Sequence, residues 1–174
     1  MNARFLAASA LLVGVCVVAA SAQQAQPQHG QHGQATAPRA AAAPHKPAPP
    51  GPLPPLPRVN VTPAMPMPAV QQVYEFAARH PEVLQYMPCY CGCERVGHGG
   101  NHDCFVKSRA ASGRIAQWDE HGIGCAVCLQ VGYRAMTLFN QKKTVAEIRE
   151  AIDREIGSRY PSSTPTPKPT GKRS

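Results

Sequence analysis

The sequence predicts a mainly α fold: a small helical domain of about four helices, with an irregular Cys-rich loop and disordered Pro-rich segments on either side. Apolar residues recur at helical spacing in separate stretches between residues 69 and 160. All but two of the 19 prolines lie outside that window. Within it, the only long break in the pattern runs from about Cys89 to Gly113, where cysteines and glycines gather.

The chain opens with Arg4, an apolar run from Phe5 to Ala20 and the small-residue site Ala20-Ser21-Ala22. Residues 1–22 therefore read as a signal peptide cleaved after Ala22, with an uncleaved anchor as the alternative, and the mature protein is expected in the periplasm, the cell envelope or outside the cell. Val15 before Cys16 is too bulky for a lipid-attachment site, so the seventh cysteine leaves with the leader. Residues 23–68 and 161–174 are poor in large apolar side chains and rich in Pro, Ala, Gln, Ser or Thr. They read as a disordered linker and a disordered tail, because they bury too little surface to offset chain entropy. His29 and His32 in "QHGQHGQ" read as solvated, with weak metal capture as the alternative.

The net charge is +8, but residues 69–160 are close to neutral, and the excess sits in the leader, linker and tail (Arg39, Lys46, Arg58, Lys168, Lys172, Arg173). No basic stripe with interleaved aromatics crosses the folded part, so nucleic acid is not an expected partner. The basic ends favour weak contact with anionic envelope polymers.

The first helix is expected from Val70, Val73, Tyr74 and Ala77, with Phe76 widening the stripe. Pro81 opens a short second helix carrying Val83, Leu84 and Met87, which Pro88 ends. Helical spacing returns at Gly124: Cys128, Val131, Ala135 and Leu138 line one side, and Leu129, Tyr133, Met136 and Phe139 broaden it. The last helix begins at Thr144, where Glu147 completes a capping box, and Val145, Ile148, Ile152 and Ile156 form its apolar stripe. Trp118 is expected in the core or at its rim.

The chemistry lies in "PCYCGCE" (Pro88–Glu94), Cys104 and "GCAVC" (Gly124–Cys128). Along an extended strand, alternate side chains are roughly 6.7 Å apart. Two thiolates on one ion, each about 2.3 Å from it, are only about 3.8 Å apart. Cys89, Cys91 and Cys93 can therefore share an ion only if the backbone curls, and Gly92 permits that bend. Cys125 and Cys128 sit at the first turn of a helix, where free N–H groups favour thiolate. His98, His102 and His121 are interspersed among the sulfurs. Asp103, Asp119 and Glu120 read as solvated carboxylates, with orientation of those histidines as the alternative.

"MPCYCGCERVGH", "DCFV", "HGIGCAVCLQ" and "VAEIREAID" together resemble the bacterial exported proteins named for their PCYCGC motif, many of them lipoproteins. The resemblance runs from about Val73 to Ile156 and implies a family without an established function. The lack of a good lipid-attachment site departs from the lipoprotein members.

The candidate metal ligands are Cys89, Cys91, Cys93, Cys104, Cys125, Cys128, His98, His102 and His121. Soft thiolates with imidazole suit Cu(I) or Zn(II), and a sulfur excess leans toward copper. The expected function is metal storage, delivery or sensing, with the ion and an envelope protein as partners. The alternative is a disulfide-stapled envelope interaction module without metal. A second alternative is a thiol–disulfide oxidoreductase using Cys125 and Cys128, which lacks the βαβ context of that chemistry. No catalytic constellation is visible, so an enzyme is not expected: there is no HExxH, Gly124 breaks a deaminase pattern, and Leu129 stands where haem attachment needs His. Because the Cys89–Cys93 loop has no periodicity of its own, its order is expected to come from what it binds.

Overall fold

The computed structural model describes residues 45–169. Residues 1–44, with the expected signal peptide and most of the expected linker, and residues 170–174 lie outside the described residues. Five α-helices are described: α1 (Met67–Arg79), α2 (Pro81–Leu84), α3 (His121–Gly124), α4 (Ala126–Asn140) and α5 (Val145–Glu155). Short 3₁₀ turns cover Cys93–Val96, Asn101–Cys104 and Gly157–Arg159, and one hairpin joins β1 (Val106–Arg109) to β2 (Ile115–Trp118).

Helix α1 has prolines at its start and buries Val70, Val73, Tyr74, Phe76 and Ala77, the expected stripe. It packs on α4, which also packs against α5. Gly132 permits the close approach of α1: a Cβ there would stand 2.6 Å from Val73 Cγ1 and 3.2 Å from the Phe105 ring. Tyr74 meets Phe105 and Trp118 edge-on, with ring centroids 5.2 and 5.5 Å apart, so Trp118 belongs to the core. Tyr133 differs from expectation. It stands on the outer face of α4 and is 40% exposed. Thr144 caps α5 through a complete capping box with Glu147.

The irregular stretch resolves into the two 3₁₀ turns and the hairpin. The hairpin is antiparallel, pairing Val106 with Trp118 and Arg109 with Ile115, with its register shifted between those pairs. Arg109 donates to the carbonyls of Ala77 (2.9 Å) and Ala78 (3.1 Å), satisfying acceptors that the end of α1 leaves open.

The described parts of the Pro-rich flanks contain no long helix or strand, and they lie on the helical body. Ala48 N–H donates to Ala78 O (2.9 Å), Ala64 N–H to Ile123 O (3.0 Å) and Trp118 Nε1 to Pro54 O (3.2 Å). The Arg79 guanidinium donates to the carbonyls of Pro49 and Gly51. Leu53, Leu56, Val59 and Met65 pack on the core. Beyond α5, Thr164 is buried against the PCYCGC loop. The folded body thus reaches beyond residues 69–160 on both sides, because polyproline-like chain can borrow a core that it cannot build.

Candidate metal centre

Cys89 follows Pro88 out of the turn after α2, and its backbone is held at both ends of the peptide unit by Thr164. Gly92 then adopts φ +78°, a left-handed conformation that glycine takes without penalty, and the following 3₁₀ turn brings Cys93 back inward. This is the curl that chelation by alternate cysteines requires. Tyr90 points the other way: its hydroxyl donates to Asp153 Oδ1 (2.8 Å) and its ring stacks on Tyr160. Arg149 grips Asp153 from the same helix at 2.9 Å and donates to Tyr86 O and Thr166 Oγ1, both at 2.8 Å. These contacts tie the loop to α5 and to the chain beyond it.

Cys104 ends the second 3₁₀ turn. Cys125 is the N-cap of α4, and Cys128 is the third residue of that helix. Asn101, fully buried, donates from Nδ2 to Cys128 O (3.2 Å) and ties the second turn to α4.

None of the six described cysteines is disulfide-bonded, and their sulfurs form one continuous cluster. Cys89 Sγ lies 3.1 Å from Cys91, 3.4 Å from Cys128 and 3.6 Å from Cys104. Cys104 Sγ lies 3.3 Å from Cys128 and 3.9 Å from Cys93, and Cys91 lies 3.6 Å from Cys128. Cys125 joins through a group with Cys91, Cys128 and His121 whose ligand atoms all lie within 4.8 Å of one another. These separations bracket the roughly 3.8 Å expected of two thiolates on one ion. Disulfide pairing would divide the sulfurs into couples, whereas here Cys89, Cys104 and Cys128 each meet three others.

Two of the three candidate histidines reach the sulfurs. His98 Nδ1 lies 3.5 Å from Cys104 Sγ, with Nε2 3.6 Å from Asp119 Oδ2. The neighbouring Asp119 carboxylate and Cys104 push its pKa up to about 10. His121 presents Nε2 to Cys91 Sγ at 3.4 Å. Asp119 also accepts from the His121 N–H (2.9 Å), so this carboxylate orients both histidine segments instead of standing solvated. Glu120 is exposed, as expected.

His102 does not join the sulfur cluster but lies in a separate group with His45 and Asp103 whose ligand atoms are within 4.8 Å of one another. Although two residues from Cys104, its ring is directed elsewhere: Nδ1 faces Asp103 Oδ1 at 3.3 Å and Nε2 accepts from Arg109 Nη2 at 3.1 Å. With Nε2 accepting, the ring proton sits on Nδ1, and burial lowers the pKa, keeping the imidazole neutral. It stacks on His45, a residue the sequence reading did not single out, because only tertiary packing brings the Pro-rich flank to it.

The sulfurs divide by proton affinity. The hydrogen bond that Cys128 donates to Cys104, with the neighbouring Cys89 and Cys93 sulfurs, holds Cys104 well below the usual thiol range against the opposing effect of burial. Contact with Cys125 and Cys128 brings Cys91 down to about 2. The contact with Cys104 works against Cys89, yet Cys128, Cys91 and Cys93 bring it to about 4. Cys93 and Cys128 move upward, each chiefly through Cys104. The lowered sulfurs favour the thiolate, the form that binds metal. Cys89, Cys93, Cys104 and Cys128 are buried; Cys91 and Cys125 are partly exposed and His121 is exposed, so the cluster opens to solvent on that side.

Fold and site together define a class: a small helical domain enclosing a cysteine–histidine cluster able to hold a metal ion. The chain belongs to the family described as protein of unknown function with PCYCGC motif, which matches residues 59–169. No curated protein and no solved structure matches it.

Proposed function

We propose that this is an exported metal-binding protein that takes a thiophilic ion, Cu(I) in preference to Zn(II), for storage, delivery or sensing. The observation that supports the reading best is the single contiguous cluster of six free sulfurs at mutual distances suited to shared ligation. Cys89, Cys91, Cys93, Cys104, Cys125 and Cys128 would supply thiolates, with His98 and His121 as nitrogen donors. Thiolate abundance favours the softer ion. The leader sequence supports export. The exposed side at Cys91, Cys125 and His121 suits loading from, or transfer to, a partner in the envelope.

The test compares Cys91→Ser/Cys93→Ser with His29→Ala/His32→Ala in the full chain. The cysteine pair is expected to lower Cu(I) affinity by at least roughly tenfold, and the linker pair to leave it unchanged. Equal loss from both would move the site out of the PCYCGC loop.

A further inference from the structure

The donor groups show a connectivity that a single ion does not need. Four groups containing cysteine each hold their ligand atoms within 4.8 Å: Cys89/Cys104/Cys128, Cys89/Cys91/Cys93, Cys93/Cys104 with His98, and Cys91/Cys125/Cys128 with His121. Cys89, Cys91, Cys93, Cys104 and Cys128 each belong to two of these groups. Every two groups have one cysteine in common except the pair that contains the histidines, and those two rings lie edge to face with centroids 5.5 Å apart.

We infer that the chamber holds a polynuclear Cu(I) cage, one ion in each of the four groups, with the five doubly used cysteines as bridging thiolates. Cys125, His98 and His121 would be terminal donors. Soft sulfur suits Cu(I), and groups of three or four donors joined through single sulfurs place each shared thiolate between two neighbouring ions. Binding changes no oxidation state. The thiol protons leave to solvent, as does any proton on His98 Nδ1, and four monovalent cations against six thiolates leave a core charge of −2. A lone Cu(I) would instead face a sulfur excess that must stay protonated or remain uncompensated in a largely buried site. The Asp119 carboxylate at His98 Nε2 would hold that ring with Nδ1 toward the cluster, the usual arrangement behind a ligating histidine.

The inference rests on the copper reading above, and one experiment separates the two. Reduced full chain is titrated anaerobically with Cu(I) and followed by native mass spectrometry, with X-ray absorption on the saturated sample. The cage predicts saturation at four ions, apo and four-ion species dominating at partial loading, and a Cu–Cu scattering shell. Saturation at one or two ions, or no Cu–Cu shell, overturns the cage and leaves the metal-binding reading standing. Retention of no copper overturns both.

Discussion

Cys89 and Thr164 exchange two hydrogen bonds: the Cys89 N–H donates to Thr164 Oγ1 at 2.8 Å, and the Thr164 N–H donates to Cys89 O at 2.9 Å. The first cysteine of the motif is therefore held by a segment that by composition looks like a solvated tail. Thr164 is 1% exposed, so its hydroxyl has no water to fall back on. Thr164→Val should leave the buried Cys89 N–H without its acceptor and cost about 1–3 kcal/mol, measured by chemical denaturation. It should also weaken Cu(I) binding. An unchanged unfolding midpoint would show that the tail is not anchored there.

The same packing changes what a protease should leave. Limited proteolysis is expected to spare at least residues 48–164, the span anchored by the hydrogen bonds of Ala48, Pro54 and Thr164. Trimming to 69–160, read by mass spectrometry, would mean that the flanks are not held in solution.

Gly132 sets the distance between α1 and α4. Gly132→Ala gains helix propensity but drives a methyl to 2.6 Å from Val73 Cγ1. Overpacking should win, lowering stability by about 1–3 kcal/mol. A stabilised variant in thermal unfolding would show that the interface yields.

The capping box of α5 supplies a pH signature away from the sulfurs. The Thr144 N–H, its hydroxyl and Lys143 lower the Glu147 pKa from 4.5 to about 2. The ionised carboxylate thus favours the folded state, fully above about pH 4.5, and that contribution fades as pH falls toward 2. Thr144→Ala should cost about 1 kcal/mol at neutral pH, with the gap to wild type narrowing across that acid window. A gap independent of pH would remove Glu147 from the cap.

Sequence reading reached the parts of this molecule that are local. The α1, α4 and α5 stripes, the Thr144 box and the bend at Gly92 follow from spacing and backbone preference over a few residues. What it missed depends on long-range packing. Arg149 looks like an exposed helix residue, yet it is buried and joins α5 to Tyr86 O and Thr166 Oγ1. His102 is near Cys104 in sequence but turned to Asp103 and Arg109, and periodicity in a short 3₁₀ turn says nothing about that direction. The folded flanks were illegible for the same reason: their partners lie on other elements.

The central claim, that the sulfurs are a metal site and not a set of crosslinks, is tested most directly on protein isolated without added reductant or metal. Reactive thiols are counted before and after a strong thiophilic chelator, with metal analysis of the same sample. The account predicts bound copper or zinc, few reactive thiols at first, and release of all six described cysteines once the ion is removed. A metal-free sample whose thiols appear only after chemical reduction would contradict it and establish the disulfide-stapled module instead.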